Sequence, residues 1–241
     1  MTERGVLALI PARGGSKGIP RKNLQRIAGQ PLVALAVRCA QRARLIDRVI
    51  VSTDDDAIAA TARRAGAEVP FLRPSALARD ATPDWPVFRH ALAWLWRQER
   101  YRPEIVVHVR PTAPLRRPED LDRAVRLLRA HPEADCVRSV SPAAQHPRKM
   151  WRIGRGGRLT PWAQANGLRE AYNLPRQRLE AVYAHNGVVD AIRTRTIEGQ
   201  RSMTGRVILP LVTPTGVSVD IDGAHELWLA RRLWPERSEA A

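Results

Sequence analysis

The chain has 241 residues, a length that suits one sizeable α/β domain, and its 44% hydrophobic and 27% charged residues are ordinary for a globular protein. Every apolar run falls short of the ~20 residues that span a bilayer, and the N-terminus lacks the pattern of a signal peptide. Two cysteines, Cys39 and Cys136, suit a reduced chain without a disulfide or a cysteine metal site. We therefore expect a cytoplasmic protein with no membrane partner.

The formal net charge of +16 raises nucleic acid as a partner, and a basic nucleic-acid-binding domain is the alternative from a different class. However, the arginines are spread along the chain and fall on the outer faces of predicted helices, so we expect no nucleic-acid binding. Of the 40 basic residues only three are lysines, and two of these, Lys17 and Lys22, lie in one loop. Since an ammonium and a guanidinium bind phosphate differently, this contrast marks the loop.

Strand and helix patterns alternate along the first 140 residues. Strands are predicted at 5–10, 48–52, 68–72, 104–109 and 135–140, and helices at 31–43, 54–66, 84–98 and 118–131. Regular patterns return near the C-terminus, with strands at 188–192, 206–212 and 217–222 and a helix at 224–234. This alternation predicts an α/β fold with a mainly parallel sheet covered by helices on both faces.

Residues 142–186 break the alternation, because they are rich in Pro, Gly and Arg. The sequence predicts short strands and loops here, arranged as an inserted arm. One domain over 1–241 with this insertion is the simplest organisation.

The opening loop, "ALIPARGGSKGIPRKN" at residues 8–23, follows the first predicted strand. Its glycines, Gly14, Gly15 and Gly18, allow backbone N–H groups to approach a ligand closely. Four side chains add positive charge: Arg13, Lys17, Arg21 and Lys22. In doubly wound folds ligands bind at this end of the strands, so the loop predicts a polyphosphate site. Its spacing matches neither GxxxxGK[ST] nor GxGxxG, and a flexible basic turn is the alternative.

The sequence "VDID" at 219–222 places Asp220 and Asp222 two residues apart. In a strand both carboxylates would face the same way and would repel each other unless a cation lay between them. Oxygen ligands of this kind suit Mg²⁺ together with substrate phosphates. A solvated strand end is the alternative when the pair is considered alone.

Two other strand ends carry polar side chains. Ser52, Thr53 and Asp54 are expected to cap the helix that follows them. Arg110 and Thr112 are expected to contact a substrate, and Arg116 to pair with a carboxylate or a phosphate. No Ser-His-Asp, Cys-His or zinc-ligand spacing is present, so the sequence does not support nucleophilic catalysis by a side chain.

Over nearly its full length the chain resembles the acylneuraminate cytidylyltransferases, also called CMP-sialic acid synthetases. The matching motifs, in family order, are "IPARGGSKGIPRKN", "VSTDDDAIA", "LRPSALARDATPD", "RPTAPLR", "RQRLEAVYAHNG", "SMTG" and "VSVDID". CMP-octulosonate synthetases are more distant relatives. The resemblance implies a Rossmann-like nucleotidyltransferase that joins CTP to a 2-keto-3-deoxy acid sugar and releases pyrophosphate. It also implies a homodimer, with the 142–186 arm as dimerisation region and lid over the sugar.

The resemblance assigns roles to individual residues. The catalytic set that would hold the triphosphate and metal is Arg13, Lys17, Lys22 and Asp222. Nucleotide contacts would come from Gly14, Gly15, Ser16, Asn23, Arg73, Asp80, Thr82 and Asp84. Sugar contacts would come from Arg110, Thr112, Arg176, Gln177, Tyr183, Asn186 and Asp190. Asp220 and Asp222 would hold Mg²⁺.

Departures from the family pattern concentrate on the acceptor half. Many members have Gln where Arg110 stands and Tyr where Asp190 stands, and Glu180 replaces a common proline. A third aspartate that often follows DID falls in a segment with His225 and Glu226. We therefore expect an acidic acceptor other than ordinary N-acetylneuraminate, such as an octulosonate-type sugar or a phosphonate, with Arg110 binding its acid group.

Overall fold

The structure, a computed structural model, describes residues 5–163 and 170–239. The chain forms two compact units, one from residues 1–140 and 186–241 and the other from residues 141–185. Among the described residues no helix is both long and apolar enough to span a membrane. Cys39 and Cys136 are buried and form no disulfide, as expected.

The strands and helices follow one another in the order expected for an α/β chain. The strands are β1 (Val6–Pro11), β2 (Arg26–Ile27), β3 (Gln30–Pro31), β4 (Arg48–Ser52), β5 (Ile105–His108), β6 (Cys136–Pro142), β7 (Trp151–Ile153), β8 (Leu159–Pro161), β9 (Tyr183–Arg193) and β10 (Ile208–Val212). The helices are α1 (Leu32–Arg42), α2 (Asp56–Arg64), α3 (Asp84–Glu99), α4 (Pro118–Ala130), α5 (Thr194–Gly199) and α6 (Ala224–Glu239).

The larger unit contains a six-stranded sheet in the order β10-β6-β9-β5-β1-β4. β1 pairs parallel with β4 on one side and with β5 on the other, and β10 pairs parallel with β6. Only β9 among these pairings runs antiparallel to its neighbour β5. The predicted α/β fold with a mainly parallel sheet is therefore confirmed.

The core explains why β1 is apolar along its whole length. Val6, Ala8 and Ile10 pack with α1, α2 and α4 on one face of the sheet. Leu7 and Leu9 alternate with them and pack with α3 and α5 on the other face. Because helices cover both faces, the side chains from Val6 to Ile10 are all buried, as parallel sheets require.

Two predicted strands do not form. The segment 68–72 makes only isolated bridges, Ile50 with Glu68 and Thr53 with Leu72. The segment 217–222 is irregular after a 3-10 turn at Thr215–Val217. Its buried Ile221 donates its N–H to the carbonyl of Thr112 at 2.8 Å and packs against α6, so burial is achieved without a ladder. Helix α5 was not predicted.

The smaller unit consists of short strands and turns, as expected for this segment. β7 and β8 form an antiparallel hairpin, and the Trp151 and Tyr172 rings lie 4.6 Å apart. The backbone N–H of Ala143 donates to the carbonyl of Val182 at 3.0 Å, and the Arg176 guanidinium donates to the carbonyl of Ala143 at 2.6 Å.

Candidate active site

The opening loop leaves β1 at its carboxyl end and is tied down by its own neighbours. The N–H of Gly14 donates to Asp54 Oδ1 at 3.0 Å, and the Asn23 side-chain amide donates to the carbonyl of Arg13 at 2.9 Å. Asp54 therefore anchors the loop and is not a helix cap as predicted. The cap of α2 is Asp55, whose carboxylate accepts from the N–H of Ile58 at 2.9 Å.

A cavity of about 430 Å³ lies beside this loop, within the larger unit. Of the residues predicted from the sequence to act in the site, it brings together Arg13, Ser16, Lys17, Lys22, Asn23, Arg73, Asp80, Thr82, Asp84, Arg110, Thr112 and Asp222. These residues come from the loop after β1, the segment before α3, the end of β5 and the segment before α6. The topology thus gathers at one sheet edge residues that are up to about 200 positions apart in the chain.

The cations of the loop are held by carboxylates in the structure. Asp80 lies 2.7 Å from Arg13 Nη1 and 2.7 Å from Lys17 Nζ. The hydrogen bond from Lys17 is the main reason that the pKa of Asp80 lies below its usual range, and Arg13 adds to the effect. The cavity therefore contains a carboxylate held by two of the three cations assigned to the triphosphate.

Lys22 connects the loop to the segment before α6. Its Nζ donates to the carbonyl of Ile221 at 2.8 Å and lies 3.2 Å from Asp222 Oδ1. Gly18 makes a still closer approach, since a Cβ built on it would lie 2.3 Å from the carbonyl oxygen of Asp222. No side chain larger than hydrogen fits there, so Gly18 lets the loop lie directly on the Asp222 backbone.

Arg73 and Asn23 form walls of the cavity while bonding to the protein itself. Arg73 is buried, and its guanidinium donates to the Ser52 hydroxyl at 3.2 Å and to the Ser52 carbonyl. Burial lowers the pKa of Arg73 to about 10. Both residues line the cavity, and their side-chain donors are engaged by backbone or hydroxyl oxygens.

Arg110 and Asp190, two of the departures from the family pattern, contact each other. Arg110 Nη1 donates to Asp190 Oδ2 at 3.0 Å, and Arg110 Nη2 lies 3.5 Å from Asp84. Asp190 is buried beneath the cavity and is also bonded by Arg138. Arg110 therefore lines the cavity as a guanidinium that already has acidic neighbours.

The other predicted sugar residues do not line this cavity. Asn186 is buried, and its amide donates to the hydroxyls of Thr213 at 2.7 Å and Ser218 at 3.0 Å. Its contacts in the structure are those of an internal support. Three predicted residues belong to the smaller unit, where they line a separate cavity of about 390 Å³: Arg176, Gln177 and Tyr183.

Four further residues with predicted roles do not line the cavity of the larger unit. Gly14, Gly15 and Asp220 are not among the residues that line the cavity of the larger unit. Arg116 is buried and donates to the carbonyls of Val188, at 2.8 Å, and Arg110. It connects two segments that flank the site and is not on the cavity wall.

A family model described as Cytidylyltransferase matches residues 7–149, which is more than half of the chain. The chain belongs to the cytidylyltransferase family. It is thus an enzyme of the nucleotidyltransferase class, and the resemblance found in the sequence is confirmed.

Individual relatives of this cytidylyltransferase agree. The CMP-N,N'-diacetyllegionaminic acid synthase of Legionella pneumophila subsp. pneumophila is 31% identical over 98% of each chain. The N-acylneuraminate cytidylyltransferase of Escherichia coli O18:K1:H7 is 27% identical over 93% of this chain and 51% of its own. A solved structure of CMP:2-keto-3-deoxy-manno-octonic acid synthetase complexed with CTP has a TM-score of 0.68 at 15% identity, covering 96% of this chain and 99% of the other. That likeness shows a shared fold.

Asp220 and Asp222 offer the carboxylate oxygens that a magnesium ion takes, although the strand expected to turn both side chains the same way does not form. Among residues 5–163 and 170–239 no three His, Cys, Asp or Glu side chains group closely enough to hold a metal alone. Mg²⁺ commonly takes only one or two carboxylates and completes its shell with substrate phosphates and water. Asp222 is 86% exposed on the cavity wall, and Asp220 Oδ1 is buried without a hydrogen-bond partner in the described part of the chain. These oxygens are suitable donors.

Sequence reasoning missed several residues at or next to the site, and two of them are polar residues inside strands. His108, at the end of β5, lines the cavity, and Arg138, on β6, bonds Asp190. Their signal in the sequence is a polar residue inside an apolar strand pattern, His108 in "IVVHV" and Arg138, followed by Ser139, in "CVRSV". A buried charged side chain such as Arg138 needs a partner, but the sequence does not say which one.

Proposed function

We propose that this chain is a Mg²⁺-dependent cytidylyltransferase that transfers CMP from CTP to the anomeric hydroxyl of a sialic-acid-like 2-keto-3-deoxy sugar acid. One observation carries the proposal: Arg13, Lys17 and Lys22 share one cavity wall with Asp222. Three cations suit a triphosphate, and an exposed carboxylate beside them suits the metal that accompanies it.

In the reaction, the anomeric hydroxyl loses its proton to solvent and its oxygen forms a bond to the α-phosphorus, while the bond from that phosphorus to the bridging oxygen breaks and pyrophosphate leaves. Negative charge grows on the bridging oxygen, so cations at the β- and γ-phosphates stabilise the transition state. Lys17, with its side chain 84% exposed, and Arg13 would contact these phosphates, and Lys22 is held in place by the carbonyl of Ile221. When bound at Asp220 and Asp222, Mg²⁺ would supply Lewis-acid polarisation of the phosphoryl oxygens.

Asp80 is a counter-ion in this proposal. Its carboxylate bonds the same two side chains, Arg13 and Lys17, that would bind the phosphates. A carboxylate and a triphosphate repel each other, so both cannot occupy these cations at full strength. We propose that CTP displaces Asp80, which neutralises the cations while the nucleotide is absent.

The acceptor that we propose is a nine-carbon sugar acid other than ordinary N-acetylneuraminate. The changes at Arg110 and Asp190 support this choice, and so does the name of the Legionella relative, which points to N,N'-diacetyllegionaminic acid. An octulosonate-type sugar or a phosphonate is the second candidate, since 3-deoxy-manno-octulosonate cytidylyltransferases match half of the chain at 39% identity.

The test is pyrophosphate release from CTP with a panel of acceptors: N,N'-diacetyllegionaminate, N-acetylneuraminate, pseudaminate, 3-deoxy-manno-octulosonate and a simple phosphonate. We expect turnover with one sugar acid, dependence on Mg²⁺, and a loss of about 10²-fold or more in Asp222→Asn. A clear preference for N-acetylneuraminate would refute the acceptor proposal. Equal turnover after chelation of Mg²⁺ would refute the metal, and tight binding of nucleic acid without turnover would favour the other class.

We also propose a homodimer formed through the smaller unit. Its hairpin and the residues after it expose large apolar side chains, with Ile153 75%, Leu159 58% and Trp162 59% exposed. Patches of this kind commonly mark interfaces. Light scattering should give a dimer for the wild type and a monomer for Ile153→Asp with Leu159→Asp; a monomeric wild type at micromolar concentration would refute the proposal.

A further inference from the structure

A row of polar side chains crosses three neighbouring strands beneath the cavity. His108 on β5 lies opposite Asp190 on β9 in the antiparallel register, and Arg138 on the next strand, β6, bonds the same aspartate. Arg110 follows His108 by two residues and completes the group. His108 and Asp190 are buried, and the side chains of Arg110 and Arg138 are 18% and 27% exposed.

Asp190 is the centre of the row. Its side chain is 1% exposed, and both carboxylate oxygens accept hydrogen bonds from arginine. Arg138 Nε donates to Oδ1 at 2.9 Å and its Nη2 donates to Oδ2 at 3.2 Å, while Arg110 Nη1 donates to Oδ2 at 3.0 Å. One carboxylate thus holds two guanidinium groups, and Arg138 is held more firmly than Arg110 because its contact with Asp190 is bidentate.

The geometry decides which arginine can reach a ligand. Arg110 lines the cavity, whereas Arg138 is not among its lining residues. A guanidinium has five N–H donors in a planar fork, and Asp190 takes one of those on Arg110. On its other side, Arg110 Cδ lies 3.6 Å from a Cβ built on Gly187, which itself lies 3.0 Å from Asp220 Oδ2. Arg110 therefore contacts the buried aspartate and lies near Asp220, one of the two proposed metal ligands.

The surrounding groups set the charge at this position. His108 is fully buried, and burial together with the nearby guanidinium of Arg110 holds its pKa well below the usual value, so the imidazole stays neutral. Asp84 lies 3.5 Å from Arg110 Nη2 but is 47% exposed, so its interaction with Arg110 is screened by water. The buried part of the group, with two guanidiniums and one carboxylate, carries one net positive charge.

A buried ion pair of this kind adds little to folding stability compared with apolar residues of the same volume, so stability alone does not account for it. We propose that Arg138 and Asp190 are positioning residues that hold the guanidinium of Arg110 on the cavity wall, where Arg110 binds the carboxylate of the acceptor acid. This inference rests on the proposed function, and it deepens it by assigning the residues that select an acidic acceptor.

The test compares steady-state constants for CTP and for the acceptor. Arg110→Gln should raise the KM of the acceptor about 10²-fold and abolish the preference for the acid over its methyl ester, because a charge-assisted contact is lost. Arg138→Met and Asp190→Asn should each raise the acceptor KM about tenfold and leave the KM of CTP within twofold. Arg138→Lys should recover part of the loss, since it keeps the charge but not the bidentate contact.

Coupling between the variants separates positioning from a general structural role. In the Arg110→Gln background, Arg138→Met should raise the acceptor KM no further, because the residue it positions is gone. The matched control is Arg102→Met, which removes an ion pair of 2.7 Å with Glu198 elsewhere on the surface and should change neither KM. Additive effects of Arg110→Gln and Arg138→Met, or an equal rise in the KM of CTP, would overturn the inference.

Calorimetric titration of the same sugar acids keeps the two proposals apart. If the wild type binds an acid that it does not turn over, and Arg110→Gln and Arg138→Met weaken that binding together, the positioning role holds and the proposed reaction fails. Turnover with unchanged acceptor binding in both variants overturns the positioning role and leaves the reaction. Absence of both binding and turnover in the wild type overturns both.

Discussion

Gly18 offers the sharpest test of how the opening loop meets the segment before α6. A Cβ on Gly18 would lie 2.3 Å from the carbonyl oxygen of Asp222, where an ordinary carbon–oxygen contact needs about 3.2 Å. The obstacle is backbone and cannot rotate away, so Gly18→Ala must separate the loop from Asp222 by roughly 1 Å. A misplacement of this size between catalytic groups costs about 10²-fold in rate, or about 2.7 kcal/mol of transition-state stabilisation.

The assay for Gly18→Ala is pyrophosphate release from CTP with the best acceptor, measured alongside the thermal melting curve. We expect kcat/KM to fall about 10²-fold with the folded state retained. Gly216→Ala is the matched control, because a Cβ there meets no atom within 4 Å and the residue lies in the same C-terminal segment. Wild-type kcat/KM in Gly18→Ala would show that the contact between loop and Asp222 does not matter for catalysis.

Three further variants test single contacts. Asp80→Asn removes the competing anion and should lower the Kd of CTP about two- to fivefold by calorimetry; weaker CTP binding would show that Asp80 is a nucleotide ligand. The pKa of His108 lies well below 6.5 in the folded state, so below pH 6.5 the unfolded state binds more protons than the folded state. The free energy of unfolding therefore decreases as the pH is lowered through this range. His108→Gln should reduce that slope in urea titrations at pH 7 and pH 5 by at most about 1.4 kcal/mol per pH unit, and an unchanged slope would contradict the assignment. The buried carboxylate of Asp135 accepts from the N–H groups of residues 206 and 207 at 2.8 and 3.1 Å, so Asp135→Ala should lower the free energy of unfolding in urea by about 3 kcal/mol. Asp135→Asn should lose less. An unchanged free energy of unfolding in Asp135→Ala would refute this structural role.

Most strands and helices could be predicted because their signals are local. The continuous apolar run of β1 indicates a strand buried on both faces, and the observed alternation of Leu7 and Ala8 between two helical layers is the reason for it. The strand prediction was wrong for segments that bury apolar residues without forming a hydrogen-bonded ladder with another strand. Val219 and Ile221 alternate like strand residues, yet their backbone is irregular because Ile221 pairs with Thr112 and packs on α6.

The candidate site shows the same difference between local signals and long-range contacts. The composition of "ARGGSKGIPRKN" predicts a phosphate loop, because glycines let backbone N–H groups approach a ligand and lysines in an arginine-rich chain supply compact positive charge. The partners of those side chains were not evident. Asp80 lies more than sixty residues from the loop cations that it bonds, and only the folded sheet edge brings them within 2.7 Å.

The sequence by itself thus determined the fold class and the family, and it predicts the nucleotide half of the site, since periodicity, turn residues and motif composition are properties of short segments. Only the tertiary structure decided that Arg110 and Asp190 contact each other. They are 80 residues apart, and their contact depends on β9 lying antiparallel beside β5, with Arg138 on the next strand. Strand order is set by packing across the whole domain, and no local pattern around any of the three residues specifies it.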